Sequence, residues 1–333
     1  MMKYYVQRGN KMTAQTKGLK PLLGNNEVNQ LAFVVRDIEK ATEDFSKLLG
    51  IPNPGWFLTG EQEISKVVFR GKTTASRSKL AFLNTPTIQF ELIEPNEDPG
   101  TMREFLDHIG EGVHHIAFDV DKINNYLPPL EDKGYPLLQS GEFTSSDGRY
   151  IYVDTSKQLK TLIELLESAE PRDTKPSDEP WDAPLLGTNK VEQLALVVKD
   201  LEAAADAYCT LLGVEKPAVI HSGGSNITQV IYNGEPTDAD SKYMFIKTPF
   251  LEIELIEPGK APSTWKTHLE TCGEGVHHIS FVVKDMDEKV QLFERMGYPV
   301  IQRGNFYNGK GRYAYMDTTS TFKVIIELLE KYE

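Results

Sequence analysis

The chain has 333 residues, 40% hydrophobic and 26% charged, with a formal net charge of −13. That length is the size of two ordinary domains. The acidic excess argues against nucleic acid or an anionic membrane as a partner, and no apolar run approaches the roughly 20 residues of a membrane span.

Residues 1–20 open on MMKYYVQRGNKMTAQTKG, which lacks the apolar core of a secretory signal, so they read as a disordered polar extension in which Met12 is an alternative start. Residues 28–35 (VNQLAFVV) form a short apolar strand run. Asp37 then stands as the N-cap of a helix, IEKATEDFSKLL, and Gly50 follows where a C′ glycine belongs. Three strand-like runs come next, residues 64–69, 79–83 and 87–93, followed by a short helix, 101–109, ended by Gly110. The order then recurs: a strand at 113–120, a helix at 121–133 ended by Gly134, and strands at 135–139, 150–154 and 161–166. Strand, helix and three strands, twice over, is not the βαβα alternation of a doubly wound sheet, so the class expected is α+β.

A second half repeats the first. GEGVHHI stands at 110–116 and again at 273–279, with an offset of 163 residues, the distance from His115 to His278. The same offset carries PLLG (21–24), ELIEP (91–95) and IELLE (163–167) onto 184–187, 254–258 and 326–330. A repeat of that length is a duplicated domain. The expected organisation is a first domain at 21–167, a Pro-, Asp- and Ser-rich linker at 168–183 and a second domain at 184–333. The only cysteines, Cys209 and Cys272, have no counterparts in the first half, which suggests free thiols and a reducing, cytoplasmic setting.

Glutamate is uncommon in strands, yet Glu91 and Glu164 sit in apolar strand runs, and Glu254 and Glu327 repeat them. Strand periodicity puts Gln89, Glu91 and Ile93 on one face, with Phe90, Leu92 and Glu94 on the other. Carboxylates in apolar surroundings normally have a partner or a metal; the bland reading is a polar outer sheet face. The adjacent His114 and His115 are expected on opposite faces of their strand, as are His277 and His278. An imidazole beside carboxylates is a common divalent-metal site. His114 and His277 are expected to pack on the sheet exterior.

The strand, helix and LLG of 30–50, ELIEP, GVHHIAF at 112–118 and the terminal IEL at 163–165 resemble the vicinal oxygen chelate superfamily, which includes glyoxalase I, methylmalonyl-CoA epimerase, extradiol dioxygenases and bleomycin-resistance proteins. The resemblance covers nearly the whole chain, in both halves. It implies four βαβββ modules that build two cupped mixed sheets, each with a metal in its cup. Carried over residue by residue, the implied ligands are Gln30, Glu91, His115 and Glu164, then Gln193, Glu254, His278 and Glu327. One imidazole per site, where the dioxygenases carry two, disfavours Fe and oxygen chemistry and leaves Zn, Ni, Co or Mn.

The resemblance further implies a proton abstraction beside a carbonyl of a small acid, keto acid or CoA thioester, with Glu164, Glu327, Glu91 and Glu254 as proton carriers. The GVHHIAF and ELIEP wording favours an epimerase or isomerase. A glyoxalase-like lyase is the alternative, and a small-molecule binding or resistance protein is the alternative of another class. LAFVV at 31–35 has no counterpart of glyoxalase's glutathione-holding arginine, which argues against a glutathione substrate. Arg149 and Arg312, in a shared Gly-Arg-Tyr, are candidates to bind a substrate carboxylate. Each cup is expected to close within its own half, so that one half alone would hold a metal as a monomer, and the chain itself is expected to be a monomer or homodimer.

Overall fold

A computed structural model of the chain describes residues 19–170, 172, 183–223 and 225–332. Most of the expected polar extension and most of the linker fall outside these residues. The first half runs β1 (Gln30–Val34), α1 (Ile38–Leu49), β2 (Phe57–Leu58), α2 (Gln62–Ser65), β3 (Val68–Phe69), β4 (Lys72–Thr73), β5 (Ser78–Asn84), β6 (Gln89–Pro95), α3 (Thr101–His108), β7 (Gly112–Asp119), α4 (Ile123–Asp132), β8 (Leu137–Glu142), β9 (Gly148–Val153), α5 (Ser156–Leu159) and β10 (Leu162–Ser168). The second half runs β11 (Val191–Val197), α6 (Leu201–Leu212), β12 (Ile220–His221), α7 (Ser225–Thr228), β13 (Ile231–Tyr232), β14 (Glu235–Pro236), β15 (Ser241–Lys247), β16 (Glu252–Pro258), α8 (Thr264–Thr271), β17 (Gly275–Val282), α9 (Met286–Arg295), β18 (Val300–Asn305), β19 (Gly311–Met316), α10 (Thr319–Phe322) and β20 (Ile325–Lys331).

Each half forms one curled mixed sheet, in the order β2-β5-β6-β1-β7-β10-β9-β8-β3-β4 for the first and the same order shifted by ten for the second. The first strands of the two modules, β1 and β7, lie antiparallel at the centre, and each is flanked by the parallel last strand of its own module, β6 or β10. The α+β class and the four-module, two-cup architecture are therefore present. One element differs from expectation: the run at 64–69 is not a strand. Glu61 O accepts the amide of Ser65, the Ser65 hydroxyl donates to Gly60 O, and Lys66 is left-handed, so the chain makes a helical turn before the short β3. This segment crosses from β2, at one edge of the sheet, to β3, paired with β8 near the other, and so spans the open side of the cup.

Alternation along the strands sorts their side chains. Leu31, Phe33, Phe90 and Leu92 face outward under α1, in the largest core cluster. Ala32, Val34 and Ile93 face inward, where Met102 and Leu106 of α3 close the floor of the cup. The repeated Glu-x-x-Glu pairs exploit the same alternation. Three residues apart on a strand means opposite faces, so Glu91 enters the cup while Glu94 accepts the backbone N–H of Ile38 at the start of α1 (2.9 Å). Glu167 does the same for Ile123 of α4 (2.8 Å).

The halves pack through their helices about a pseudo-twofold axis. Leu22 N–H donates to Leu211 O and Leu185 N–H to Leu48 O, so each half seats its leading arm on the other's first helix. Lys160 pairs with Glu274 (3.1 Å) and Lys323 with Glu111 (3.0 Å), a reciprocal exchange at the 163-residue offset. Gly213, the C′ residue of α6, serves twice: its φ of 63° is left-handed, and a Cβ there would collide with the backbone of Pro21. Residues of both halves form a single hydrophobic cluster, with Phe45 of α1 edge-on to Phe322 of α10 at 5.4 Å. Separation of the halves would expose this shared core.

The shared core predicts cooperative unfolding. Phe45→Ala, which empties a fully buried ring site between the halves, is expected to cost about 3–5 kcal/mol. In urea titrations followed by circular dichroism and tryptophan fluorescence, the two signals should stay coincident and move together. A first half that melts while the fluorescence of buried Trp265 stays native would contradict a common core.

Candidate metal centres

Glu91 (β6), His115 (β7) and Glu164 (β10) reach the same point of the first cup from three neighbouring strands. Register explains the meeting. His115 and Glu91 both stand opposite Ala32 of β1, and Glu164 stands opposite Ala117, two residues along β7 from His115. The small Ala32 leaves room for the two side chains on either side. Their potential ligand atoms lie within 4.8 Å of one another, and Glu254, His278 and Glu327 form the same trio in the second cup. All six residues are buried, both imidazoles completely, which overturns the reading of a polar outer sheet face. His115 Nε2 lies 3.1 Å from Glu164 Oε2 and 3.4 Å from Glu91 Oε2, and His278 repeats both distances to Glu327 and Glu254.

Gln30 and Gln193, the implied fourth positions, line the same cavities as these carboxylates. Gln30 donates its Nε2–H to Gln89 Oε1 at 2.9 Å. Arg149 and Arg312 are placed elsewhere. Arg149 alternates with the cup-lining Tyr150 and Tyr152, faces the outside and pairs with Glu167 (2.7 Å), while Arg312 pairs with Glu330 (2.6 Å) and Asp287 (2.9 Å). They brace strand ends against α4 and α9, so the suggestion that they bind a substrate carboxylate does not match their positions.

The histidine pair departs from simple alternation. Ala32 pairs with His115 but Phe33 pairs with Val113, so His114 is the extra residue of a β-bulge. The bulge turns both rings to one side: their Nδ1 atoms are 2.8 Å apart and the rings meet edge to face at 5.1 Å. His114 is therefore not exterior packing. Burial holds its pKa well below the usual histidine range, so it is neutral. Its Nε2 is 3.1 Å from the Thr101 hydroxyl of α3. A proton on Nε2 for Thr101 leaves Nδ1 bare to accept the Nδ1–H of His115, which turns His115 Nε2 toward the two carboxylates. The same bulge and the same 2.8 Å contact recur at His277 and His278. A sequence signal for this role existed in the doubled His-His, but the bulge that gives it meaning did not show.

Burial alone would lower the His115 imidazole, but Glu164 and Glu91 outweigh it and hold it at about 9; His278 likewise stands at about 9 beside Glu327 and Glu254. Burial pushes the Glu91 carboxyl up, and Glu254 up to about 7, against the pull of each histidine. One imidazolium cannot neutralise two carboxylates, so a buried negative charge is left over in each trio. Gln30 Oε1 in the first site is buried with no hydrogen-bond partner, and Glu91 Oε2, His278 Nε2 and Glu327 Oε2 are buried with only ion-pair contacts that lack hydrogen-bond geometry. Unpartnered oxygen and nitrogen donors around a site short of positive charge fit a divalent cation.

The cup walls differ. The first cavity, about 700 Å³, is lined by polar groups that include Arg77, Arg172, Ser78 and Thr144 as well as Tyr150 and Tyr152. The second, about 400 Å³, is walled by Tyr243, Phe245, Trp265, Phe306, Tyr313 and Tyr315. Trp265 Nε1–H donates to the Tyr315 hydroxyl at 3.1 Å, and the Tyr315 ring lies 4.8 Å from that of His278. Among the described residues, no helix is long and apolar enough to cross a membrane. Cys209 is buried and Cys272 exposed, both as free thiols.

A family model described as the Glyoxalase/Bleomycin resistance protein/Dioxygenase superfamily matches residues 29–153 and again residues 192–316. The uncharacterized protein YqjC of Bacillus subtilis (strain 168) is 24% identical over 143 residues, 43% of this chain and 92% of that protein. A mutant 4-hydroxymandelate synthase from Streptomyces coelicolor shares the fold at a TM-score of 0.56, with 12% identity over 92% of this chain and 93% of the other. Methylmalonyl-CoA epimerase from Mycobacterium tuberculosis aligns at 21% identity over 45% of this chain and 91% of its own, with a TM-score of 0.33. With two tandem matches laid over two cupped sheets, the chain belongs to the glyoxalase/bleomycin resistance/dioxygenase, or vicinal oxygen chelate, superfamily.

Proposed function

We propose that the protein is a metal-dependent enzyme that removes and returns a proton beside a carbonyl, epimerising or isomerising a small acid, keto acid or CoA thioester. The observation that carries this reading is the buried Glu-His-Glu trio, open to a cavity in each half. Glu91, His115 and Glu164, with Gln30, would hold the metal in the first cup; Glu254, His278 and Glu327 would hold it in the second, with Gln193 beside them. When bound, a metal would supply a Lewis acid that polarises substrate oxygens beside the proton to be removed.

The protein's own part is proton handling. A carboxyl raised by burial, such as Glu254 at about 7, can take a proton and give it back near neutral pH. Glu164 on β10 and Glu91 on β6 approach His115 from opposite sides of β7, so two carboxylates face the same cavity. The aromatic wall of the second cup favours a second reading, a binding or resistance role in which that cup sequesters an apolar ligand without turnover.

Glu164→Gln with Glu327→Gln is expected to lower turnover by about 10²–10⁴, the usual contribution of a positioned acid or base, with the circular dichroism spectrum unchanged. Solvent-deuterium incorporation into candidate acids, keto acids and thioesters measures it. Retention of most of the exchange activity would remove these carboxylates from the mechanism.

Metal affinity should rise with pH. The metal must displace the proton that His115 and His278 hold up to about 9. Apparent affinity should therefore increase about tenfold per pH unit below 9 and level off above it, with a steeper slope below about 7, where Glu254 is also protonated. Calorimetry in buffers of different ionisation enthalpy counts the released protons, and pH-independent binding between 6 and 9 would contradict this charge state.

A further inference from the structure

The two trios are alike in their carboxylates and imidazole but unlike in the amide beside them. Gln30 and Gln193 occupy the same register, opposite Ala117 on β7 and Ser280 on β17. In the first site the orientation of the amide is fixed by its neighbours. Gln89 Oε1 accepts from Arg172 Nη1 (3.2 Å), and a guanidinium only donates, so the group that Gln30 presents to that oxygen is its Nε2–H. Gln30 Oε1 is left buried, without a partner. In the second site the Gln193 Nε2–H donates to the Glu252 carboxylate at 2.8 Å, which fixes that amide in the same sense. Its Oε1, however, accepts the Ser280 hydroxyl at 2.9 Å. Ala117 has no hydroxyl with which to do this.

A second difference has the same direction. The His115–His114 pair ends on the Thr101 hydroxyl, whereas His277 Nε2 is buried with no partner and the equivalent Thr264 turns its hydroxyl to Gln302 Oε1 (3.4 Å). The supporting layer is complete around the first imidazole and incomplete around the second.

We propose that the two sites hold their metal unequally: the first with the amide oxygen of Gln30 as a free fourth donor, and the second more weakly, because the Ser280 hydroxyl competes with the metal for the amide oxygen of Gln193. Ser280 is thus a positioning residue. It leaves the second site with the weaker affinity. This rests on the metal reading above. A supporting layer of this kind is worth about 10–100-fold in metal affinity.

The test is titration of the full-length, metal-stripped protein with cobalt(II) alone, against a chromophoric chelator, together with the visible cobalt spectrum. The wild-type protein should fill in two steps separated by about 10–100-fold. Ser280→Ala, which installs the residue the first half already carries, should tighten the weaker step and narrow the gap. Ala117→Ser, the reverse exchange, should weaken the tighter step. Both swaps use a side chain found at the same register in the other half, so neither introduces an unprecedented fit. Two equal steps in the wild type, or two unequal steps that neither swap moves, would overturn the proposal while leaving the metal reading intact. A protein that binds no cobalt overturns both.

Discussion

Two buried carboxylates share one imidazole in each cup, and much of the architecture follows from that arrangement. Burying a charge without compensation costs several kcal/mol per ion even after relaxation. Each cup reduces the cost by placing the imidazole on the central strand β7 or β17, one carboxylate on the adjacent β10 or β20, and the other on β6 or β16, across β1 or β11. The residual negative charge then makes the site a cation trap. Every element close to it has a matching role: Ala32 leaves the space, the bulge at His114 turns a neutral histidine behind the liganding one, and α3 brings both a floor and a hydroxyl.

The duplication sets a second constraint. Because the halves meet about a pseudo-twofold axis, an interaction made by one residue is made again by its counterpart: the arm of each half on the other's helix, and each lysine with the other's glutamate. The outward faces of both sheets and their helices thereby form one core. The cups open away from that shared core, so each can change its lining without disturbing the packing. That freedom has been used. Both cups carry aromatic side chains, but the trio faces Arg77 and Arg172 in the first and Trp265 with a denser aromatic wall in the second.

The amide and hydroxyl differences carry the divergence inward to the trio's edge. Ala117 and Ser280 differ by one oxygen atom, yet that atom decides whether an amide oxygen of Gln30 or Gln193 is free or engaged. In a buried site such single hydrogen bonds weigh more than at the surface, because no water competes for the donor or acceptor. Two sites with nearly identical ligand residues are in this way not chemically identical.

The sequence by itself determined the duplication, the α+β class and the modules, and it singled out Glu91, Glu164 and the His114–His115 pair with their repeats, because these depend on periodicity, on local capping and on carboxylates standing where strands are otherwise apolar; the choice of His115 within the pair came from the family resemblance. The double role of Glu-x-x-Glu, one carboxylate in the cup and one on a helix N-terminus, follows from the same two-residue period once the sheet is known. Only the tertiary structure decided the rest. A bulge shifts register by one residue and reverses the face of His114, and strand alternation read from the sequence assumes that no such shift occurs. Arg149 and Arg312 share a motif with the cup tyrosines, but the pleat sends them to the opposite face, where Glu167 and Glu330 hold them. The packing of one half on the other was likewise undecidable from one chain's pattern, since an outward apolar face reads the same whether it covers its own helix or its neighbour's. Contacts between residues more than 100 positions apart, such as Lys160 with Glu274, are fixed by how the two sheets dock, and no local period encodes that.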